Sequence, residues 1–179
     1  MKIVAILLLA GMVSCGKDDD ENVNIFTGKI LFQYSYINYA WFFQHEGFFI
    51  DNEGQILTYS RSSNIHPYPD NWHFPDENNR ITEAEMNENL LQTEISEKKI
   101  DKAILQKYAR KLSSIKENAY IEYQNSYDAG ASVPVCYLYD EYTKTYKEIL
   151  LSQYGDFVSI NKDKTAKEID EWLTAIFTE

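Results

Sequence analysis

The stretch that most constrains the fold is residues 28–43, in which two kinds of position alternate. One set is aliphatic or aromatic throughout: Ile30, Phe32, Tyr34 and Tyr36. The other set is mixed: Leu31, Gln33, Ser35 and Ile37. Successive side chains of a β-strand point to opposite faces of the sheet, and β-branched and aromatic residues suit strands. The pattern therefore predicts a long strand over residues 28–43.

Two β-hairpins and several further strands are predicted along the chain. In the first hairpin, residues 47–50 and 55–59 flank the sequence Asp51-Asn52-Glu53-Gly54, whose residue types favour a tight turn. Residues 133–139 and 145–151 form the second hairpin, with a polar connection between them. Shorter strands are expected near residues 93–100, 120–127 and 157–160.

Three helices are predicted from their N-terminal capping residues. Thr82 and Glu85 form a capping box, in which each side chain satisfies a free backbone N–H of the first turn. Asp101 caps the second helix, and Thr165 with Glu168 forms a capping box for the third. The first two helices are expected to reach about residues 92 and 116. Helical spacing of Ile169, Trp172, Leu173 and Ile176 gives the third helix an apolar face.

These elements predict an α+β fold for a single domain over residues 28–179. Its antiparallel sheet consists of the two hairpins plus further strands, and about three helices pack on one side of it. Residues 61–80 are expected to be an irregular segment, because they hold three of the four prolines. A segment of this length without regular structure is often functional.

The N-terminus has the pattern of a secretory signal peptide. Lys2 supplies a positive charge, and an uncharged, mostly apolar run of about eleven residues follows it. A helix that crosses a membrane needs about 20 apolar residues, so this run is too short to span one. Residues 1–14 are therefore predicted to be a leader.

The end of this leader, Met12-Val13-Ser14-Cys15-Gly16, resembles the lipobox of bacterial lipoproteins. That resemblance implies cleavage before Cys15 and a diacylglycerol on its sulfur, which would attach the chain to a membrane. Residues 15–27 then form an acidic linker, kept extended by repulsion between like charges. The run Lys17-Asp18-Asp19-Asp20-Glu21 resembles the surface-export signal of Bacteroidetes lipoproteins, although an acidic run can also be an ordinary solvated linker.

The chain as a whole resembles small Bacteroidetes lipoproteins of uncharacterised function. The pieces that carry this resemblance are Asn38-Tyr39-Ala40-Trp41, Gly47-Phe48-Phe49-Ile50-Asp51, Gly155-Asp156 and Glu171-Trp172-Leu173. The resemblance implies an outer-membrane protein that is lipid-anchored and surface-exposed; the alternative is that it faces the periplasm. It implies no particular chemistry.

Charge and cysteine content exclude some classes of function and structure. The net charge of −11 argues against a nucleic-acid partner, because phosphate binding requires clustered lysine and arginine. Of the two cysteines, Cys15 is the predicted lipidation site, which leaves Cys136 without a disulfide partner. Cys136 lies in an apolar strand pattern, so we expect it to be a small buried residue.

An aromatic contact surface is the functional site that the sequence favours. Its candidate ligand-binding residues are Trp41, Tyr68, Trp72 and His73. Flat rings with hydrogen-bonding groups suit sugar faces and the centres of protein interfaces, so an envelope glycan or an envelope protein is the expected partner. The alternative is that Trp41 and Trp72 pack in the core or brace the proline-rich segment.

Two other classes of function stay open. A small envelope hydrolase would act on glycan through a pair of carboxylates, for which Glu46, Asp51, Asp70 and Asp76 are the candidates nearest to aromatic segments. A structural or assembly accessory would need no binding pocket at all.

The sequence predicts neither a metal site nor a cofactor. His45, His66 and His73 do not have the spacing of helical metal ligands. The motifs of nucleophile elbows, phosphate-binding loops and dinucleotide sites are also absent from the sequence.

Overall fold

The fold is built on an antiparallel β-sheet that has helices on both faces. A computed structural model describes residues 30–40, 42–63, 71–117, 119–127 and 130–178. The strands, in chain order, are β1 (Ile30–Asn38), β2 (Phe43–Asp51), β3 (Gln55–Ser63), β4 (Arg80–Thr82), β5 (Glu94–Lys99), β6 (Tyr120–Gln124), β7 (Ala131–Asp140), β8 (Thr145–Leu150), β9 (Ser152–Gly155) and β10 (Phe157–Asn161). The helices are α1 (Glu83–Leu90), α2 (Lys102–Ala109) and α3 (Lys164–Thr178), with a short 3-10 helix at Leu112–Ser114.

The sheet places β1 and β7 side by side near its centre. The strand order is β5-β3-β2-β1-β7-β9-β10-β6, and β8 pairs with both β7 and β4. All of these pairings are antiparallel, so the predicted α+β class with an antiparallel sheet is confirmed. Residues from β2, β1, β7 and β8 consequently lie in adjacent rows across the sheet.

Two apolar clusters lie on opposite faces of the sheet. The first contains Phe32 and Cys136 from the strands, Leu105 from α2, and Ile169 and Leu173 from α3. Cys136 is fully buried there, as predicted, and burial raises the pKa of its thiol.

The second cluster lies under α1 and the segment that precedes β4. It contains Phe49, Trp72, Met86 and Tyr137. Phe49 follows Phe48 and Tyr137 follows Cys136 along their strands, so alternation sends these neighbours to opposite faces. The prediction that all helices pack on one side is therefore wrong: α2 and α3 cover one face, whereas α1 places Met86 against the other.

Local capping signals were accurate for two of the three helices. Thr82 accepts a hydrogen bond from Glu85 N and Glu85 reaches back to Thr82 N, which confirms the capping box of α1. Asp101 accepts from two backbone N–H groups at the start of α2. The third capping box is wrong, because Asp163 Oδ1 accepts from Thr165 N at 2.8 Å. Asp163 lies just before α3 and takes the capping role, so Thr165 lies inside the helix.

Two predicted elements are shorter than expected. The strand predicted over residues 28–43 ends at Asn38, and Phe43 begins the next strand. The helix predicted from Asp101 to about residue 116 ends at Ala109 and is followed by the 3-10 helix. Among the helices formed by the described residues, none combines the length and apolar character needed to cross a membrane.

Candidate functional site

A cavity of ≈ 160 Å³ lies between one face of the sheet and the segment 72–75. Its floor comes from four adjacent strands, and α1 and β4 close one side. Its lining includes Gln33 and Ser35 of β1, His45 of β2, Tyr137 of β7, Glu148 of β8 and Phe74 of the covering segment, residues 72–75. An engineered cavity of similar size, about 150 Å³, holds a benzene molecule, so this space suits a ligand or ligand end of that size.

The part of the cavity floor that β1 contributes is unusually polar for a central strand. Residues 33, 35 and 37 of β1 point into it, whereas Phe32 and Tyr34 point to the opposite core. Gln33 and Ser35 are 7% and 9% exposed, so both polar side chains are removed from bulk water. Burial of a polar group is costly unless it is hydrogen-bonded, so both side chains need hydrogen-bond partners inside the protein.

The covering segment is held in place by α1 through Asn89. This side chain is 1% exposed; its Nδ2 donates to His73 O at 2.7 Å, and its Oδ1 accepts from His73 N at 2.8 Å. Gln92 Nε2 adds a bond to Asn71 O at 2.7 Å. These bonds satisfy the backbone of an irregular segment and position Phe74 beside His45, with 5.7 Å between the ring centroids.

Trp72 lies within the aromatic core and does not present its faces to solvent. It is 6% exposed, and it stacks with Phe49 at 5.8 Å and contacts Tyr59 at 4.6 Å between ring centroids. The Arg61 guanidinium carbon lies 5.1 Å from the Trp72 centroid, in cation–π geometry. The Trp72 ring therefore braces the site, which is the packing alternative stated for it from the sequence.

His45 supplies a buried polar atom that has no partner among the described residues. The side chain is 1% exposed, and its Nδ1 makes no hydrogen bond. Burial, with a smaller contribution from the positive charge of Arg61, lowers the pKa of His45 to about 4. The imidazole is consequently neutral at neutral pH, and it lines the cavity.

A hydrogen-bonded chain of side chains crosses the cavity floor. Gln33 Nε2 donates to the Tyr59 hydroxyl at 2.8 Å, and the Tyr137 hydroxyl donates to Gln33 Oε1 at 2.5 Å. The Tyr137 oxygen also lies 3.1 Å from Glu148 Oε2. Glu148 is the last member of this chain.

The geometry of the chain fits a protonated Glu148. Tyr137 has a single hydroxyl hydrogen, and Gln33 Oε1 can only accept, so the short bond to Gln33 uses that hydrogen. The Tyr137 hydroxyl can donate the same hydrogen to Glu148 Oε2 instead; while it points to Gln33, the contact with Glu148 requires a hydrogen from the carboxyl group. Burial raises the pKa of Glu148 to about 7, against a smaller opposing effect of the Tyr137 hydrogen bond. The carboxyl group thus changes charge near neutral pH.

This perturbed pKa makes a prediction about stability. The pKa of Glu148 in the folded protein lies above the unfolded value near 4.5. The contribution of this carboxyl group to the free energy of unfolding is therefore fully present below about pH 4.5 and is lost as the pH rises through about 7. We expect Glu148→Gln to stabilise the protein relative to the wild type at pH 8 by up to about 3 kcal/mol, and to change stability much less at pH 4. Urea unfolding at both pH values measures the difference.

The matched control for this experiment is Glu53→Gln, because Glu53 is exposed in the turn between β2 and β3. Its effect on stability should be small and similar at the two pH values. Equal effects of Glu148→Gln at pH 4 and pH 8 would contradict the raised pKa.

The structure describes two of the four candidate binding residues predicted from the sequence, Trp72 and His73. Trp41, Tyr68 and Cys15 lie outside the described residues. Of the other two, Trp72 is buried, and His73 Nε2 lies 2.6 Å from Glu88 Oε2 at the surface. Among the described residues, exposed aromatic side chains include Tyr39, Phe42 and Phe74.

The carboxylates considered for a hydrolase have other roles where the structure describes them. Asp51 Oδ1 accepts from Glu53 N and Gln55 N, and Asp76 Oδ1 accepts from Asn78 N and Arg80 N. Both acids therefore stabilise turns. Glu46 lines a separate groove beside α3, and Asp70 lies outside the described residues.

Among the residues described, no three His, Cys, Asp or Glu side chains come close enough together to hold a metal ion. His66, which was considered with His45 and His73, lies outside this part of the chain.

Sequence reasoning missed the residues that form the cavity floor, above all Glu148 and Gln33. A signal was present, because Gln33 and Ser35 occupy alternate positions of a strand whose other face is wholly apolar. Glu148 likewise lies between Tyr146 and Leu150 on the face that includes the second apolar cluster. Polar residues at inward positions of a strand predict a buried polar site, but they do not identify the residues they meet.

Neither models of known protein families, nor curated proteins, nor solved structures provide a match to this chain. The geometry of the cavity is therefore the main indication of function.

Proposed function

We propose that this chain is a lipid-anchored, non-enzymatic binding module of the bacterial cell envelope, displayed on the outer surface of the outer membrane. Its ligand site is the cavity between the sheet and residues 72–75, and its partner is an envelope glycan or protein that inserts a small group there. Cys15 carries the lipid that attaches the domain to the membrane.

The observation that carries the binding proposal is the polar atom left without a partner inside the cavity. His45 Nδ1 is buried and makes no hydrogen bond with the described residues. Buried polar groups are nearly always paired, so the partner of an exception that lines a cavity comes from outside the chain, and a ligand group can take the place of a water molecule there. The bonds from Asn89 give this cavity a fixed cover, which reduces the entropy lost on binding.

A hydrolase is less well supported by the same geometry. Glycoside hydrolysis requires two carboxyl groups about 5–10 Å apart. Among the described residues, Glu148 is the one acid that lines the cavity, and the remaining polar lining groups are amides, a hydroxyl, a phenol, imidazoles and the indole N–H of Trp72. A binding role needs no second carboxylate.

Enlarging a residue of the cavity wall tests the ligand site. Val133 lines the cavity, and Val133→Phe is expected to fill it and abolish binding of small sugars, amines, alcohols and acids, observed by ligand-detected NMR on the purified chain. Ile121→Phe is the control, because Ile121 is 47% exposed on β6 and does not line the cavity. If no compound binds the wild type, or if Val133→Phe binds them equally well, the cavity is not a ligand site.

Replacing Cys15 by alanine tests the anchor. We expect Cys15→Ala to move from the membrane fraction to the soluble fraction and to lose incorporation of labelled palmitate, because a diacylglycerol supplies the membrane affinity. Cys136→Ala is the control: it removes the other cysteine, which is buried, and should keep both the label and the membrane attachment. Palmitate that still enters Cys15→Ala would exclude Cys15 as the anchor.

A further inference from the structure

Within the described part of the chain the sheet ends at β4, β5 and β6, and the first two of these edges are poor sites for pairing with a further strand. β4 is only three residues long. β5 has the sequence Glu-Ile-Ser-Glu-Lys-Lys, and its register with β3 is interrupted by an irregularity. Short length, charged side chains and bulges are the features by which proteins keep sheet edges from pairing with other chains.

The third edge, β6, has little of this protection. Its described neighbour in the sheet is β10, on one side. Its sequence is Tyr-Ile-Glu-Tyr-Gln, in which Glu122 is the one charged residue. Tyr123 is 50% exposed, although it lies in a regular strand. An exposed edge strand of this composition is a template for pairing with another strand.

The hydrogen bonds to β10 show which backbone groups of β6 point away from the sheet. Asn125 N donates to Asp156 O, and Lys162 N donates to Ala119 O. In an antiparallel pair, alternate residues direct both their N–H and their C=O to the same neighbouring strand. The odd-numbered residues from 119 to 125 therefore face β10, and the outward backbone groups belong to Tyr120, Glu122 and Gln124.

A row of side chains crosses the sheet and ends at this edge. Continuing the registers of the paired strands places Tyr154 of β9 beside Val158 of β10, and Val158 beside Tyr123 of β6. Val158 is buried, whereas Tyr154 is 45% exposed. An aromatic side chain on the far side of Tyr123 would extend this row and remove the Tyr123 ring from water.

A second copy of β6 matches this edge when the two strands run antiparallel about a two-fold axis at Tyr123. In that register Glu122 lies opposite Gln124 of the second copy, so their outward backbone groups bond to each other and the carboxylate can accept from the amide. Tyr123 lies opposite its own copy, in the position where side chains are closest. An axis at Glu122 would instead place two carboxylates opposite each other, which is unfavourable.

We propose that this chain forms a symmetric homodimer through β6, in which two sheets join edge to edge with Tyr123 at the two-fold axis. The same residues face each other on both subunits, as a closed two-fold interface requires. One short strand from each chain gives a small interface, so the association is weak and reversible. The net charge of −11 on each chain opposes it, and salt should therefore strengthen it.

This interface goes beyond the proposed ligand site, because no residue of β6 lines the cavity beside residues 72–75. Tyr120 and Glu122 line a different groove. Failure of the dimer would leave the ligand site untouched, and loss of ligand binding in Val133→Phe would leave the dimer untouched.

Disulfide cross-linking tests the position of the axis. The full chain carrying Cys15→Ala is the parent, since its remaining cysteine, Cys136, is buried. We expect Tyr123→Cys to give a covalent dimer on mild oxidation, because opposed residues of this kind have Cα atoms about 4.5 Å apart, which a disulfide can join. Ile121→Cys is the matched control on the same face of β6: its two copies would be about 13 Å apart along the strands and should not cross-link.

Light scattering on the same parent measures the association without a cross-link. We expect the mass to rise from that of one chain towards twice that value as the concentration increases, and to rise further with salt. Glu122→Pro should raise the dissociation constant by at least about tenfold, because the two-fold axis repeats the lost outward N–H on both chains. Glu122→Gln keeps this N–H and is the control; it should associate at least as tightly as the parent.

A second variant does not depend on how β6 tolerates proline. Tyr123→Lys places two like charges opposite each other at the axis and should likewise raise the dissociation constant by about tenfold or more. Circular dichroism checks that both variants keep the strand content of the parent.

Three results would overturn the inference. The first is the mass of a single chain at every concentration, which would leave β6 to a strand of a different protein. The second is a dimer that cross-links through Ile121→Cys in place of Tyr123→Cys. The third is a dimer that persists equally in Glu122→Pro and Tyr123→Lys, because another surface would then hold the chains together.

Discussion

Replacing Trp72 by alanine is expected to lower the free energy of unfolding by about 3–5 kcal/mol, the range for removing a large aromatic side chain from a core. Trp72 is 6% exposed and contacts Phe49, Tyr59 and His45 through their rings. Its loss leaves a cavity and removes the Arg61 cation–π contact. Urea unfolding followed by circular dichroism measures the change, and the thermal midpoint should fall by about 10 °C or more.

Phe74→Ala is the matched control for Trp72→Ala. Phe74 lies two residues further along the same segment but is 53% exposed, so its replacement should cost much less stability. The two variants distinguish bracing from ligand contact. A Trp72→Ala protein with an unchanged midpoint and lost ligand binding would support the aromatic contact surface predicted from the sequence, and would contradict the packing described here.

Replacing Gly47 by alanine is expected to destabilise the protein by about 3 kcal/mol or more, because the new methyl group has no room. Gly47 pairs with Ser35 on one side and with Tyr59 on the other. A Cβ atom there would lie 2.0 Å from Tyr34 O and 2.9 Å from the Tyr59 hydroxyl oxygen. Room for the methyl group can be made only if β1 and β2 separate locally. That separation weakens the hydrogen bonds at the centre of the sheet.

The same variant should disturb the hydrogen-bonded chain on the cavity floor, since the Tyr59 hydroxyl accepts from Gln33. Urea unfolding measures the stability, and the near-ultraviolet circular dichroism of the tyrosines reports their altered packing. Glu46→Ala is the control on the preceding residue of β2, where a side chain is already accommodated beside Ser60. A Gly47→Ala protein as stable as Glu46→Ala would contradict the close approach of β1 and β2 at this point.

Helix starts were predicted well because their signals are local. A capping box needs an acceptor and an acid three residues apart, so Thr82 and Glu85 contain all that is required to begin α1. Asp101 acts in the same way for α2. The third start failed because two local signals overlapped, and Asp163 caps the helix ahead of Thr165. Choosing between adjacent acceptors depends on how the chain leaves β10, which no short window contains.

The side of the sheet that each helix covers was not predictable in the same way. An apolar stripe on a helix shows that one face is buried, but either face of a two-sided sheet can receive it. The alternation in β1 contained a partial clue, since polar residues at Gln33 and Ser35 oppose the apolar face that receives α3. Only the crossing from β4 into α1 puts Met86 over the polar side.

The sequence by itself determined most of the strands, through alternation, and the starts of α1 and α2, through their capping residues. The apolar strand pattern around Cys136 also predicted that this residue is buried. The tertiary structure alone decided the site. Gln33 and Tyr137 are 104 residues apart, yet their side chains share a hydrogen bond because β1 and β7 are neighbours in the sheet. Contact between such distant residues depends on strand order, and the burial that raises the pKa of Glu148 exists only once the sheet and the elements around it have assembled.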